Sequence, residues 1–129
     1  MDIPKLPEAE FVIMRVVWRC GGEVTSAQIM EALSHEAHDK KDWAVATVLN
    51  FLARLVRRGF LTVRRSGKIN AYTAIVDESA YLESESRSFL RRLHGNSIKS
   101  FVASLYSGNA ISQADLDELR HFIEGGGVQ

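Results

Sequence analysis

Apolar residues recur every three or four positions over the first sixty residues of the chain, and then the rhythm changes to a shorter period. Phe11, Met14, Val17 and Trp18 share one face of a predicted helix. Pro7 suits its first turn, and Glu8 and Glu10 sit where the positive end of the helix dipole favours carboxylates. Gly21 and Gly22 end that helix, and Glu23 and Val24 form a short extended link. Thr25 and Gln28 then have the T-x-x-Q form of a capping box, which opens a second helix over about 26–36 with Ile29, Ala32 and Leu33 on its apolar stripe. The polar stretch "SHEAHDKKD" follows. In "WAVATVLNFLARLVRRG", Val45, Val48, Leu52, Leu55 and Val56 predict a third helix, stopped by Gly59.

Beyond Gly59, "FLTVRR" and "INAYTAI" are β-branched and aromatic runs on either side of "SGK". This is hairpin chemistry, with Gly67 able to take a positive φ. Three helices followed by a two-stranded ribbon is the order of a winged helix-turn-helix. Asp77 or Ser79 can cap a further helix running to about His94, in which Leu82, Phe89, Leu90 and Leu93 share a face and Gly95 closes the end. "SIKSFVASLY" is amphipathic through Ile98, Phe101, Val102 and Leu105, and "SQADLDELRHFIE" groups Leu116, Leu119 and Ile123 behind a Ser112 cap. Helices this short do not hold alone in water, and a second copy of the chain is the economical source of a partner face. The predicted fold is mainly α: a winged helix-turn-helix DNA-binding domain over 1–77, followed by a three-helix dimerisation region over 78–129. The dimerisation residues are Leu82, Phe89, Leu90, Leu93, Phe101, Val102, Leu105, Leu116, Leu119 and Ile123.

Length and composition change this picture little. The chain has 129 residues, enough for one ordinary core with an appended element. No apolar run approaches the roughly 18 to 20 residues of a membrane helix, and "MDIPKLPEAE" lacks a signal peptide's apolar middle. A cytoplasmic protein without direct membrane insertion is expected. Cys20 is the one cysteine, so no internal disulfide forms, and it is read as a small core residue. Trp18 and Trp43, with apolar neighbours at helical spacing, are also read as core.

Charge changes the picture more. The chain carries 16 basic and 16 acidic residues, yet Arg54, Arg57, Arg58, Arg64, Arg65 and Lys68 all fall within residues 43–76, where there is no acid. Opposite the apolar stripe of the third helix lie Ala46, Asn50, Ala53, Arg54 and Arg57, together with Thr47 and Leu49. Small residues let a helix approach base edges in the major groove, Asn pairs with adenine, Thr and Leu touch a thymine methyl, and arginines reach guanine or phosphate. Arg64, Arg65 and Lys68 on the wing extend the same charge toward a flanking phosphate strand or the minor groove. Four to six phosphate contacts per subunit would give a dimer a log-affinity against log-salt slope of about −7 to −11.

Three stretches together resemble the penicillinase repressor family, the BlaI/MecI/CopY group of bacterial winged-helix repressors. "LPEAEFVIMRVVW" resembles the family's opening helix. "TVLNFLARLVRRGFL" resembles its recognition helix and stop, and "FLRRLHGNSIKSFVASLY" followed by "DLDELRHFIE" resembles its dimerisation helices. The resemblance implies a homodimer that binds a double-stranded, inverted-repeat DNA operator and represses β-lactamase or related resistance genes. It also implies a membrane sensor-linked protease whose cleavage of the dimerisation region releases the DNA. The aligned cleavage site lies between Ser104 and Leu105, where the family typically has Asn before Phe. Thr47 and Arg54 agree with the family's DNA-contacting pattern, whereas Ala46, Leu49 and Asn50 stand where relatives often have Lys, Arg and Thr, which implies a different operator. The cysteine cluster of copper-responsive relatives is absent from "EGGGVQ", so copper sensing by that route is not expected.

Two other classes compete with this reading. An enzyme would need a catalytic constellation, and no nucleophile–base order, phosphate loop or carboxylate pair stands out. His35, Glu36, His38 and Asp39 do not form H-E-x-x-H and read as a solvated helix end, while His94 and His121 read as helix-terminal or surface residues. Neither catalysis, a metal nor a cofactor is predicted. The alternative binding class is a winged-helix protein-interaction adaptor without sequence-specific DNA binding, against which the cationic third helix argues.

Overall fold

The computed structural model describes residues 3–35 and 42–125. Helix α1, Glu8–Cys20, is the centre of the first half of the chain and packs against the second and third helices and the sheet. Its buried face is broader than the predicted stripe. Val12, Ile13, Met14, Val16 and Val17 are all buried, whereas Phe11 and Trp18 lie half-buried at its margin. Pro7 occupies the N-cap position, one residue before the expected first turn, and its carbonyl accepts the Phe11 N–H at 2.9 Å. Cys20 is exposed, contrary to its reading as core, because it falls in the last turn beyond the buried face.

The capping box forms as its spacing predicts. Thr25 Oγ1 accepts the Gln28 N–H at 3.2 Å, and Gln28 Oε1 accepts the Thr25 N–H at 2.9 Å. Helix α2, Ser26–Leu33, ends before the expected residue 36, and the Ser34 hydroxyl donates to the Glu31 carbonyl at 2.6 Å. Glu36, His38 and Asp39 of the polar stretch lie outside the described residues. Helix α3, Val45–Arg57, buries Val48, Leu52 and Leu55. Val45, expected on the apolar stripe, is 56% exposed, being the first residue of the helix and past the edge of the core.

The expected two-stranded ribbon is a three-stranded antiparallel sheet. Strand β1, Val24–Thr25, pairs with β3, Ile69–Ala74, which in turn pairs with β2, Leu61–Ser66, giving the order β1-β3-β2. Two residues are too few to show an alternating period, so β1 exists only through its pairing. Gly67, with φ 65°, is the first of the two residues joining β2 to β3, a turn that requires positive φ there.

Helix α4, Glu78–His94, begins against this core. Tyr81 stacks with Phe11, Trp18 and Phe60 at centroid distances of 5.8, 5.9 and 5.9 Å, and its hydroxyl accepts the Leu6 N–H at 2.9 Å. The Ser84 hydroxyl accepts the Ile3 N–H at 2.7 Å, and Trp18 donates its indole N–H to the Val76 carbonyl at 2.9 Å. These ties explain why the chain divides into compact units Met1–Glu85 and Ser86–Gln129, a boundary inside α4 and later than the residue 77 expected from the sequence.

In the second unit, α5, Ile98–Ser107, and α6, Gln113–Glu124, follow the rest of α4. Phe101 of α5 meets Phe89 and His94 at centroid distances of 5.6 and 5.4 Å. Ser97 caps α5, and Ser112 with Asp115 forms a capping box on α6. None of the described residues 86–125 is buried. Among the described residues, no helix is long and apolar enough to cross a membrane.

Candidate nucleic-acid interface

The outward face of α3 follows from its burial pattern. With Val48, Leu52 and Leu55 turned into the core, Ala46, Asn50, Ala53, Arg54 and Arg57 are exposed, Leu49 is 37% exposed, and Thr47 is half-buried. The first two turns therefore present small, aliphatic and amide groups, and the last two present guanidinium groups. The first turn contains no acid, and no side chain caps it. The surface is shaped for close approach at one end and for anion contact at the other.

The cations of this block do not all stand alone. Arg58, at the C-cap of α3, donates from Nη1 to Glu10 Oε1 at 2.8 Å, and Arg54 Nη1 lies 3.8 Å from Glu10 Oε2. Glu10 is 1% exposed, so a carboxylate expected only to complement the α1 dipole is also an internal counter-ion beneath the outward face of α3. Its Oε1 anchors Arg58, and its Oε2 lies nearer to Arg54. The Arg54 guanidinium also lies 5.8 Å from the Phe51 ring centroid, a cation–π placement on its own helix.

On the wing, Arg64 donates from Nε to Glu23 Oε2 and from Nη2 to Glu23 Oε1, both at 2.8 Å. Those hydrogen bonds hold the Glu23 carboxyl below the usual carboxylate range and raise the Arg64 guanidinium in turn. Arg65 donates from Nε to Asn70 Oδ1 at 3.2 Å and has no carboxylate partner among the described residues. Lys68 is exposed in the turn after Gly67. The expectation of an unopposed block is thus corrected: it holds along the sequence, but the fold brings in Glu10 and Glu23 from α1 and the link before β1. Nothing in a period or motif identifies either acid, because the partners lie 48 and 41 residues away.

The apolar residues assigned to dimerisation are placed as follows. Phe89, Leu90, Phe101, Val102, Leu105 and Leu116 are half-buried within the second unit, and Leu93, Leu119 and Ile123 are exposed there. Leu82 is exposed and belongs to the first unit. Phe122, outside the set expected from the sequence, is 49% exposed and stands three residues beyond Leu119 and beside Ile123. Ser104 and Leu105 lie within α5, with Ser104 exposed. His35 contacts Glu31 at 2.8 Å, and among the described residues no three His, Cys, Asp or Glu side chains are grouped to hold a metal.

A family model described as Penicillinase repressor matches residues 6–125. A penicillinase repressor of Bacillus licheniformis is 29% identical over 122 residues, covering 95% of this chain and 91% of that protein. The methicillin resistance regulatory protein MecI of Staphylococcus aureus (strain N315) is 25% identical over 119 residues, covering 92% and 93%. Among solved structures, the solution structure of the DNA binding domain of the repressor BlaI matches with a TM-score of 0.51 and 29% identity, covering 63% of this chain and 94% of that one.

Proposed function

The chain belongs to the penicillinase repressor family, and on that premise we propose that it is a DNA-binding transcriptional repressor that acts as a homodimer on an inverted-repeat operator. The observation that carries this reading is the exposed face of α3, on which small and amide side chains lead into Arg54 and Arg57, with Arg65 and Lys68 on the adjoining wing. The relatives named for penicillinase and methicillin resistance support control of resistance genes as the physiological role. A repressor of this kind works in the cytoplasm, where its operator is, and has no catalytic task.

Dimer formation is supported by the second unit, whose described residues include none that is buried and which leaves Leu93, Leu119, Phe122 and Ile123 exposed. Small helices without a core need an apolar partner, and a C2 contact between identical faces supplies it. Release by a sensor-linked protease would act at Ser104–Leu105. Because that bond lies inside α5, cutting it requires the helix to open first.

The test is a binding titration on double-stranded DNA as salt is raised. On α3 and the wing, Arg54, Arg57, Arg65 and Lys68 are the cations that make no direct hydrogen bond to a carboxylate among the described residues, so a dimer that uses them makes eight phosphate contacts and gives a slope of about −7. Selection of bound duplexes from a random pool should return a sequence with two-fold symmetry. A protein-interaction adaptor would instead bind duplex weakly and show no slope.

A further inference from the structure

The wing arginine Arg64 is held by an acid from outside the wing. Arg64 lies on the sheet row Thr25–Ala71–Arg64, with Ala71 on the central strand between the two edge strands. Opposed residues of a sheet point to the same face, and Arg64 alternates with Val63, which opposes the buried Tyr72. Arg64 therefore projects from the face away from the core. From there it reaches across the narrow methyl side chain of Ala71 to Glu23, one residue before β1.

Both members of the pair are substantially exposed, at 64% and 41% of their side chains. Burial does not force them together, and the bidentate geometry matches the way a guanidinium takes a phosphate. We propose that Glu23 sets how strongly the wing grips DNA: it occupies the phosphate-binding fork of Arg64, removing that arginine from the sequence-independent contacts of the wing and lowering affinity for duplex DNA whatever its sequence.

The physical basis is competition. A phosphate approaching Arg64 must displace a carboxylate that satisfies the same donors, and the released carboxylate would then face the phosphate at close range, where like charges repel. Arg65 and Lys68, which have no carboxylate partner among the described residues, carry the wing's electrostatic attraction instead. Sequence-independent binding scales with the number of phosphates neutralised, so withholding one arginine per subunit lowers affinity for any duplex while base contacts from α3 are untouched, leaving those contacts a larger share of the total.

The inference rests on the DNA-binding reading, and four full-length proteins test it: wild type, Glu23→Gln, Arg64→Ala and the double variant. Each is titrated with salt against a duplex of random sequence, with circular dichroism to confirm equal folding. Glu23→Gln should tighten binding and steepen the log–log slope by about 0.9 per subunit, the value of one added phosphate contact. Arg64→Ala should leave the wild-type slope unchanged, and the double variant should return to it. A flatter slope for Arg64→Ala alone would show that the arginine already contacts phosphate and would overturn the proposal. So would an unchanged slope for Glu23→Gln, or a double variant as steep as Glu23→Gln, which would assign the effect to the acid's own charge. Absence of duplex binding by all four proteins would overturn the DNA-binding reading and this inference with it, an outcome distinct from four equal slopes.

Discussion

Arg58 and Glu10, 48 residues apart, meet at 2.8 Å through a guanidinium that is 44% exposed and a carboxylate side chain that is 2% exposed. The pair ties the end of α3 to the start of α1. It therefore fixes the height and direction at which the cationic half of α3 leaves the core. A buried carboxylate is costly to leave uncompensated, and Arg54, at 3.8 Å, is too distant to replace a direct hydrogen bond.

Arg58→Ala is expected to destabilise the first unit by about 2–3 kcal/mol, below the about 3–5 kcal/mol of a fully enclosed pair because Arg58 is partly solvated. Urea unfolding at unchanged m-value measures it. A loss under about 0.5 kcal/mol, the range of ordinary surface substitutions, would mean that Arg54 moves in to compensate.

Arg54→Ala should weaken binding to the selected operator by about 1–3 kcal/mol while leaving α3 folded. Its side chain is half exposed and lies between Glu10 and the outward surface of α3. Equal operator affinities for wild type and variant would remove Arg54 from the interface.

The stability of the first unit should depend on pH in the alkaline range through Tyr81. Burial raises its phenol above the ordinary value near 10, opposed by the Leu6 N–H and reinforced by the Glu85 and Glu8 carboxylates. A group with a raised folded-state pKa contributes stability that is fully present below its unfolded pKa and is lost as pH rises through the folded one. The melting temperature should therefore hold across neutral pH with respect to this group and fall above about pH 10. In Tyr81→Phe the alkaline fall should be reduced, at the cost of the hydrogen bond from Leu6. An identical fall in both proteins would assign it to other groups.

Thr25 is both a strand residue paired with Ala71 and the N-cap of α2. Thr25→Ala removes the side-chain half of the capping box and should cost about 0.5–2 kcal/mol. Thr25→Ser should recover most of that loss, because the hydroxyl rather than the methyl group makes the bond. A serine variant as unstable as the alanine one would point to the β-branched contribution to the sheet instead.

Phe122→Glu places a charge among the exposed Leu119, Phe122 and Ile123 of α6. Sedimentation should show a shift from dimer to monomer, with operator affinity falling because the second half-site no longer binds as a nearly intramolecular event. A variant that stays dimeric would move the subunit contact away from this face.

The local features were legible because each is written within a few residues. The capping box at Thr25, the Ser112 cap, the helical stripe of Val48, Leu52 and Leu55, and the Gly67 turn depend on contacts between near neighbours, so their spacing in the chain is their spacing in space. Cys20 and Val45 departed from expectation for a related reason. Both continue an apolar pattern, but each falls at a helix end past the edge of the core, and periodicity does not record where the core stops.

The amino-acid sequence by itself determined the helices, the wing and the concentration of positive charge on them, since propensity, caps and side-chain period act along the chain. Only the tertiary structure decided which of those charges remain available, by burying Glu10 under Arg58 and setting Glu23 against Arg64. Electrostatic pairing depends on distance through space, and residues 48 and 41 positions apart acquire a distance only when the chain has folded.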